Sequence, residues 1–188
     1  MDLVRRRSTG VIESLPAPGT AAQSNWERFE ALYRSSRDDL YAYVATLLRD
    51  RTAAEDITAL AFERAYRRRR TFDRRRGEER AWLFGIARNA ALDELRRRKR
   101  TARLDTDPED VAAADPGDHG TEVALRRTAV RAALAGLPAR EREIIALKFH
   151  AGMSNAEMAR VLGVSESNAG TLLHRTMQKL RKACDDQA

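Results

Sequence analysis

LPAREREIIALKFHAGMSNAEMARVLGVSESNAGTLLHRTMQKLRK, residues 137–182, decides the fold. It reads as one helix leading into a helix-turn-helix. Met158, Ala159, Leu162, Gly163, Val164, Ala169 and Leu172 fall at the small and apolar positions such a unit needs. Ala159 lets two helices approach closely, and Gly163 sits where a turn disfavours a side chain. Ser165 is placed to cap the following helix. The exposed face of that helix carries Ser165, Glu166, Ser167, Asn168, Thr171, His174 and Arg175, while Leu173, Met177 and Leu180 continue its apolar stripe. A short polar face on a rigid helix suits a DNA major groove, with Asn168 addressing adenine and Arg175 guanine or phosphate. A packed helical hairpin would show the same apolar spacing; the basic surroundings favour the DNA-reading interpretation.

Those surroundings extend through the chain. Its 188 residues carry a formal net charge of +7, which favours a polyanionic partner. Of 35 Lys and Arg residues only Lys99, Lys148, Lys179 and Lys182 are lysine. Arginine grips phosphate bidentately and stacks on bases, although a GC-rich genome raises arginine content as well. Cys184 is the single cysteine, which excludes an internal disulfide or a cysteine-based zinc site and fits a reducing compartment. His119, His150 and His174 lie far apart without carboxylates at ligand spacing, so no metal and no cofactor are expected. No apolar run approaches the roughly 20 residues of a membrane span, and the basic start lacks the apolar stretch of a secretory signal. A cytoplasmic protein is expected.

Working outward, the pattern divides the chain into five parts. Residues 1–24, with Pro16, Pro18 and Gly19 and no periodicity, read as a disordered leader. Residues 25–103 read as a helical domain. Trp26, Phe29, Tyr33, Leu40, Val44 and Leu47 mark one face of its first helix. A second helix over about 52–69 places Ile57, Leu60, Ala61 and Ala65 on one side and Phe62 and Tyr66 on another. A basic loop, RRRRTFDRRRGEER at 67–80, precedes a third helix from about 81 to 99 that ends in RRRKR. Residues 104–121 hold six acids and no Lys or Arg, the composition of a flexible acidic linker. Residues 122–184 form the helix-turn-helix domain and 185–188 a tail. The fold class is all-α: two small helical domains on a tether.

These two domains, in this order, resemble a bacterial sigma factor of the compact extracytoplasmic-function type. Three stretches carry the resemblance. AEDITALAFERAYR at 54–67 is similar to the family's core-binding helix. WLFGIARNAALDELRRRKR at 82–100 is similar to its promoter-opening, minus-ten-recognising helix. LPAREREIIALKFHAGMSNAEMARVLGVSES at 137–167 is similar to its minus-thirty-five-recognising domain. WLF-IARN followed by D-x-x-R is specific in combination; the helix-turn-helix alone would not separate a sigma factor from other regulators. The resemblance implies a region-two-like bundle and a region-four-like helix-turn-helix. Together they would direct RNA polymerase core enzyme to promoter DNA and help open it, under the control of an anti-sigma factor.

Residue by residue, the resemblance implies polymerase contacts at Glu55, Asp56 and Phe62. The two acids also suit the first turn of a helix for purely electrostatic reasons. It implies DNA contacts at Phe72, Arg80, Trp82, Arg88, Asn89, Asp93, Arg96, Arg97 and Arg100. Aromatic faces interleaved with arginine suit unstacked bases and the phosphates that flank them. Trp82 would serve a core equally well, and the arginines a solvated face. Asp93 alone would repel DNA, so it orients an arginine or accepts from a base amine. The acidic linker reads as a solvated tether or, by resemblance, as a strand mimic threading the polymerase channel. Two departures stand out: Ala59 and Leu60, where the family usually carries Gln and Glu, and Gly170 and Leu172 in the recognition helix, where basic residues are frequent. Gly170 allows either close backbone approach to DNA or tight packing.

Two other classes compete. A free-standing helix-turn-helix regulator would need a dimerisation helix or a ligand pocket, and neither pattern is present. An enzyme would need a phosphate-binding glycine loop, a metal cluster or a nucleophile motif, none of which occurs, so no enzymatic activity is expected.

Overall fold

Arg49 and Asp50 set the first corner. Helix α1 spans Pro18–Leu48, Arg49 takes the left-handed conformation (φ 53°), and Asp50 caps α2, Arg51–Arg68. One Asp50 oxygen accepts from the Ala53 N–H at 3.0 Å, and the other accepts from Arg98 Nη2 at 2.8 Å. The carboxylate that starts α2 therefore also ties it to the end of α3, Glu79–Ala102. A 3-10 turn at Arg69–Thr71 begins the loop between α2 and α3. The structure, a computed structural model, describes residues 18–73, 75, 77–102 and 122–185. All regular structure among them is helical. The acidic linker, most of the leader and the last three residues lie outside the described residues.

Helices α1, α2 and α3 pack mutually. Tyr43, Leu40, Val44, Leu83 and Phe84 are fully enclosed, and Ala54, Ala61, Ala65, Ala87 and Ala91 line the helix crossings. Small side chains there bring helix axes close without leaving voids. An edge-to-face series joins α1 to α2, with Phe29–Tyr66 centroids at 5.0 Å and Tyr33–Phe62 at 4.7 Å. Two expectations are corrected at the N-terminal end. Residues 18–24, read as part of an unstructured leader, are helical; Pro18 stands at the helix start, where its fixed φ and missing N–H cost nothing. Trp26, read on the apolar face of that helix, is 52% exposed; its ring meets Tyr66 edge-on near the end of α2.

The second unit comprises α4 (Glu122–Gly136), α5 (Ala139–Phe149), α6 (Asn155–Leu162) and α7 (Glu166–Asp185). Ser154 and Glu157 form a capping box at the start of α6, and Gly163 ends it at φ 68°. Helix α7 packs on α4, α5 and α6.

The two units are docked on each other. Helix α5 lies on α1 and α6 on α3, and the buried residues of both units form one continuous apolar cluster. At its centre Glu143 of α5 is buried. Its Oε1 accepts from Tyr43 Oη at 3.0 Å and from Arg88 Nε at 2.6 Å.

Candidate nucleic-acid interface

The loop before α3 and the first turns of that helix build an open pocket of about 470 Å³. Phe72 and Trp82 stand 5.3 Å apart at a 42° tilt. Arg68, Gly85 and Asn89 complete much of the lining, and Gly85 has open space where a Cβ would stand. Trp82 packs partly buried against the core cluster and also lines the pocket. A planar apolar wall beside an exposed Asn amide is the chemistry that holds an unstacked base.

Along α3 the next residues carry charge. Asp93 accepts from Arg96 at 3.0 Å, so this acid orients an arginine. Arg97 forms a two-pronged pair with Glu94, both contacts at 2.8 Å, and Arg98 adds a third. Hydrogen bonds from Arg97 and Arg98 hold the Glu94 carboxyl at about 2, against an ordinary 4.5. Arg96, Arg97 and Arg100 remain exposed. Asp93 and Glu94 set the directions of the Arg96 and Arg97 guanidinium groups.

Two other arginines expected on DNA are engaged within the protein. Arg80 donates to Asp39 of α1 at 2.6 Å and lies over the Phe84 ring. Arg88 is paired with Glu143; burial works against its charge, but the carboxylate's hydrogen bonds raise its pKa above the ordinary value. Burial, and then Glu143, push the Tyr43 hydroxyl well above its usual range. Sequence spacing gave no sign of this network, since Glu143 stands 100 residues from Tyr43 and 55 from Arg88. Arg160 of α6 also went unnoticed, yet it lines the Phe72–Trp82 pocket.

A second groove, about 630 Å³, runs between α1 and α2. Tyr33, Arg37, Tyr41, Glu55, Thr58 and Ala59 line it, with Phe62, only 6% exposed, among them. Glu55 and Asp56 are exposed. Leu60 turns toward the core cluster, whereas Ala59 is exposed at the groove. The alanine thus widens an external groove, and the leucine adds packing.

In the second unit Ser165 Oγ accepts from the Asn168 N–H at 3.2 Å, which caps α7. Ser165, Glu166, Ser167, Asn168, Thr171, His174 and Arg175 are all exposed, while Ala169 and Thr176 are buried. A Cβ on Gly170 would stand 3.3 Å from the Asn155 amide nitrogen, so this glycine faces α6. Of its two readings, tight packing is the one the geometry supports. Among the described residues no group of three or more His, Cys, Asp or Glu could hold a metal, and no helix is long and apolar enough to cross a membrane.

A three-helix bundle with an aromatic, arginine-rimmed pocket, joined to a helix-turn-helix, defines a helical DNA-binding protein of the sigma type. Residues 32–101 match the family Sigma-70 region 2, and residues 127–180 match Sigma-70, region 4. The chain is 33% identical over 164 residues to the ECF RNA polymerase sigma factor SigX of Bacillus subtilis, with 83% of each chain covered. It is 32% identical over 162 residues to SigL of Mycobacterium tuberculosis, covering 86% of this chain and 91% of that one. The sigma factor RpoE of Bartonella quintana, solved in complex with the anti-sigma factor NepR, shares the fold. Its TM-score is 0.67 at 23% identity, over 85% of this chain and 98% of that one. The protein belongs to the extracytoplasmic-function family of RNA polymerase sigma factors, whose members direct the polymerase to promoters in transcription initiation.

Proposed function

We propose that each groove and face has a separate task within that role. The Phe72–Trp82 pocket, with Asn89 at its edge, captures an unstacked base of the minus-ten element, and Arg96, Arg97 and Arg100 hold the flanking phosphates. The α1–α2 groove, with Glu55 and Asp56 at α2 and Phe62 in its wall, receives the polymerase core. The exposed face of α7 from Ser165 to Arg175 reads the minus-thirty-five element in the major groove. Opening DNA in this way breaks no covalent bond, so the protein acts as a binding factor and not as an enzyme. It works in the cytoplasm, where core enzyme and promoters are found. An anti-sigma protein of the kind seen with the Bartonella relative would control it by covering these surfaces.

The observation that carries this reading is the tilted Phe72–Trp82 pair beside an exposed Asn89. The test is transcription by purified core enzyme with this protein on a fragment library of its own genome, followed by sequencing of transcript starts. Discrete starts that share two spaced upstream elements are expected. Trp82→Ala with Asn89→Ala should lower open-complex formation by about 10- to 100-fold, the loss of one stacked and one hydrogen-bonded contact, while core affinity stays unchanged. Asn168→Ala with Arg175→Ala should blur selection of the upstream element alone. Equal loss of opening and of core binding in the first pair would refute the assignment of the pocket.

A further inference from the structure

Cationic side chains gather at the corner where α1 meets α4 and α5. A pocket of about 390 Å³ opens there, within the size range of small-molecule sites. Arg49, Arg131, Arg142 and His150 line it, Leu134 and Ile145 give it an apolar wall, and no acid is among its lining residues. Arg49 donates to the Ala135 carbonyl at 2.9 Å, and Arg142 donates to the Leu137 carbonyl. Those bonds answer carbonyls left open at the end of α4. Each occupies one nitrogen of a guanidinium that has five N–H donors. Among the described residues neither of these two arginines has a carboxylate partner. Arg142 Nε is buried and has no acceptor among them, a costly state for an N–H donor. Burial, and then the charge of Arg49, pull the Arg142 pKa below the ordinary arginine value. Elsewhere on the chain arginines stand beside acids, as at Asp39, Glu94 and Glu143. Here like charges converge on a cavity instead.

We propose that this pocket is a binding site for a small phosphate-bearing ligand of nucleotide size: Arg49 and Arg142 grip the phosphates, and the wall of Leu134 and Ile145 receives a planar or apolar body. Guanidinium forks match phosphate oxygens bidentately and stack on planar rings, so one pocket suits both halves of such a molecule. A phosphate oxygen supplies the acceptor that Arg142 Nε lacks, and its charge relieves the repulsion between the two arginines. The site shares no residue with the Phe72–Trp82 pocket, the α1–α2 groove or the exposed face of α7. Arg49 follows α1 and Arg142 belongs to α5, so an occupied site ties the two helices together. The folded chain then gains stability in proportion to occupancy.

The test is calorimetric titration of the full chain with ATP, without divalent cations and at about 0.15 M salt, where anions held loosely by surface charge are screened. Inorganic pyrophosphate and adenosine separate the two halves of the ligand. A single saturable site for ATP is expected, with pyrophosphate weaker and adenosine not bound, and ATP should raise the melting temperature. Arg49→Asn and Arg142→Gln should each weaken ATP by about tenfold, the loss of one charge-assisted contact. Arg49 is exposed and asparagine tolerates its left-handed φ, so that variant should fold; circular dichroism verifies both. Arg175→Ala, on the exposed face of α7, should leave ATP binding unchanged. Absence of a saturable ATP site would overturn the proposal, as would an affinity indifferent to Arg49 and Arg142. Equal weakening by Arg175→Ala would show a general basic surface in its place. Adenosine that binds as well as ATP would remove the phosphate from the assignment, and pyrophosphate that binds as well would remove the planar body. A single-stranded oligonucleotide that binds more tightly than ATP with the same dependence on Arg49 would make the pocket a nucleic-acid contact and overturn the small ligand.

Discussion

At the residue scale, the informative side chains are the acids set among arginines. Glu94 lies within a helix otherwise crowded with positive charge, and its partners Arg97 and Arg98 are three and four positions away. Its carboxyl sits near 2 in the folded chain. The stability it adds is therefore complete above the ordinary carboxylate value and is lost as pH falls from about 4.5 toward 2. With allowance for solvent screening, Glu94→Gln should cost about 1 kcal/mol near neutrality. Melting temperature should fall by a few degrees at about pH 7, and the gap from wild type should close as the pH is lowered toward 2 in thermal melts. A constant gap across that range would mean that the glutamate acts through packing alone. Local pairs of this kind are legible in sequence because helical spacing dictates them. Arg80 and Arg88 were not legible: they look like their phosphate-facing neighbours, but their acids arrive from positions 39 and 143.

At the element scale, periodicity placed the three helices of the first unit and the helix-turn-helix of the second, since one apolar face per helix is enough to specify each. Part of the turn chemistry was equally readable: Gly163 ends α6 and Ser165 caps α7 as their residue types require, whereas the Ser154–Glu157 capping box was not singled out. The start of α1 was missed because Pro18 and Gly19 look like linker residues until the helix that follows is seen to begin on the proline. Gly170 shows how an element resolves what one residue leaves open. It lies on the side of α7 that faces α6, and the nearest atoms to an added Cβ belong to the flexible, exposed end of Asn155. Gly170→Ala should therefore let the Asn155 amide swing aside and stabilise the protein by up to about 1 kcal/mol, the propensity difference in a helix interior. Chemical denaturation would measure it as a raised midpoint with an unchanged slope. A lowered midpoint would show that the α6–α7 crossing cannot yield. Promoter selection should be unaffected, because Asn168, Thr171 and Arg175 project elsewhere.

At the scale of the whole molecule, the docking of the two units was beyond sequence reading for a physical reason. A tether and two amphipathic bundles satisfy every local pattern, and Glu143 in EREII reads as a solvated helix residue. Only the tertiary fold shows that it is buried between Tyr43 and Arg88. A carboxylate withdrawn from water is tolerated when its lone pairs are met by a guanidinium and a hydroxyl, and it becomes costly once either is replaced by a like charge. The boundary also joins the apolar clusters of both units. The full chain should consequently unfold in one cooperative calorimetric transition, with calorimetric and van't Hoff enthalpies that agree. Glu143→Lys places an ammonium against the Arg88 guanidinium and should force the units apart. Each unit keeps its own capped helices and local core, so the variant should melt in two separate transitions with little loss of helical signal below the first. A single transition merely shifted to lower temperature would mean that the units fold only as one body. The docked form would then be the folded state itself.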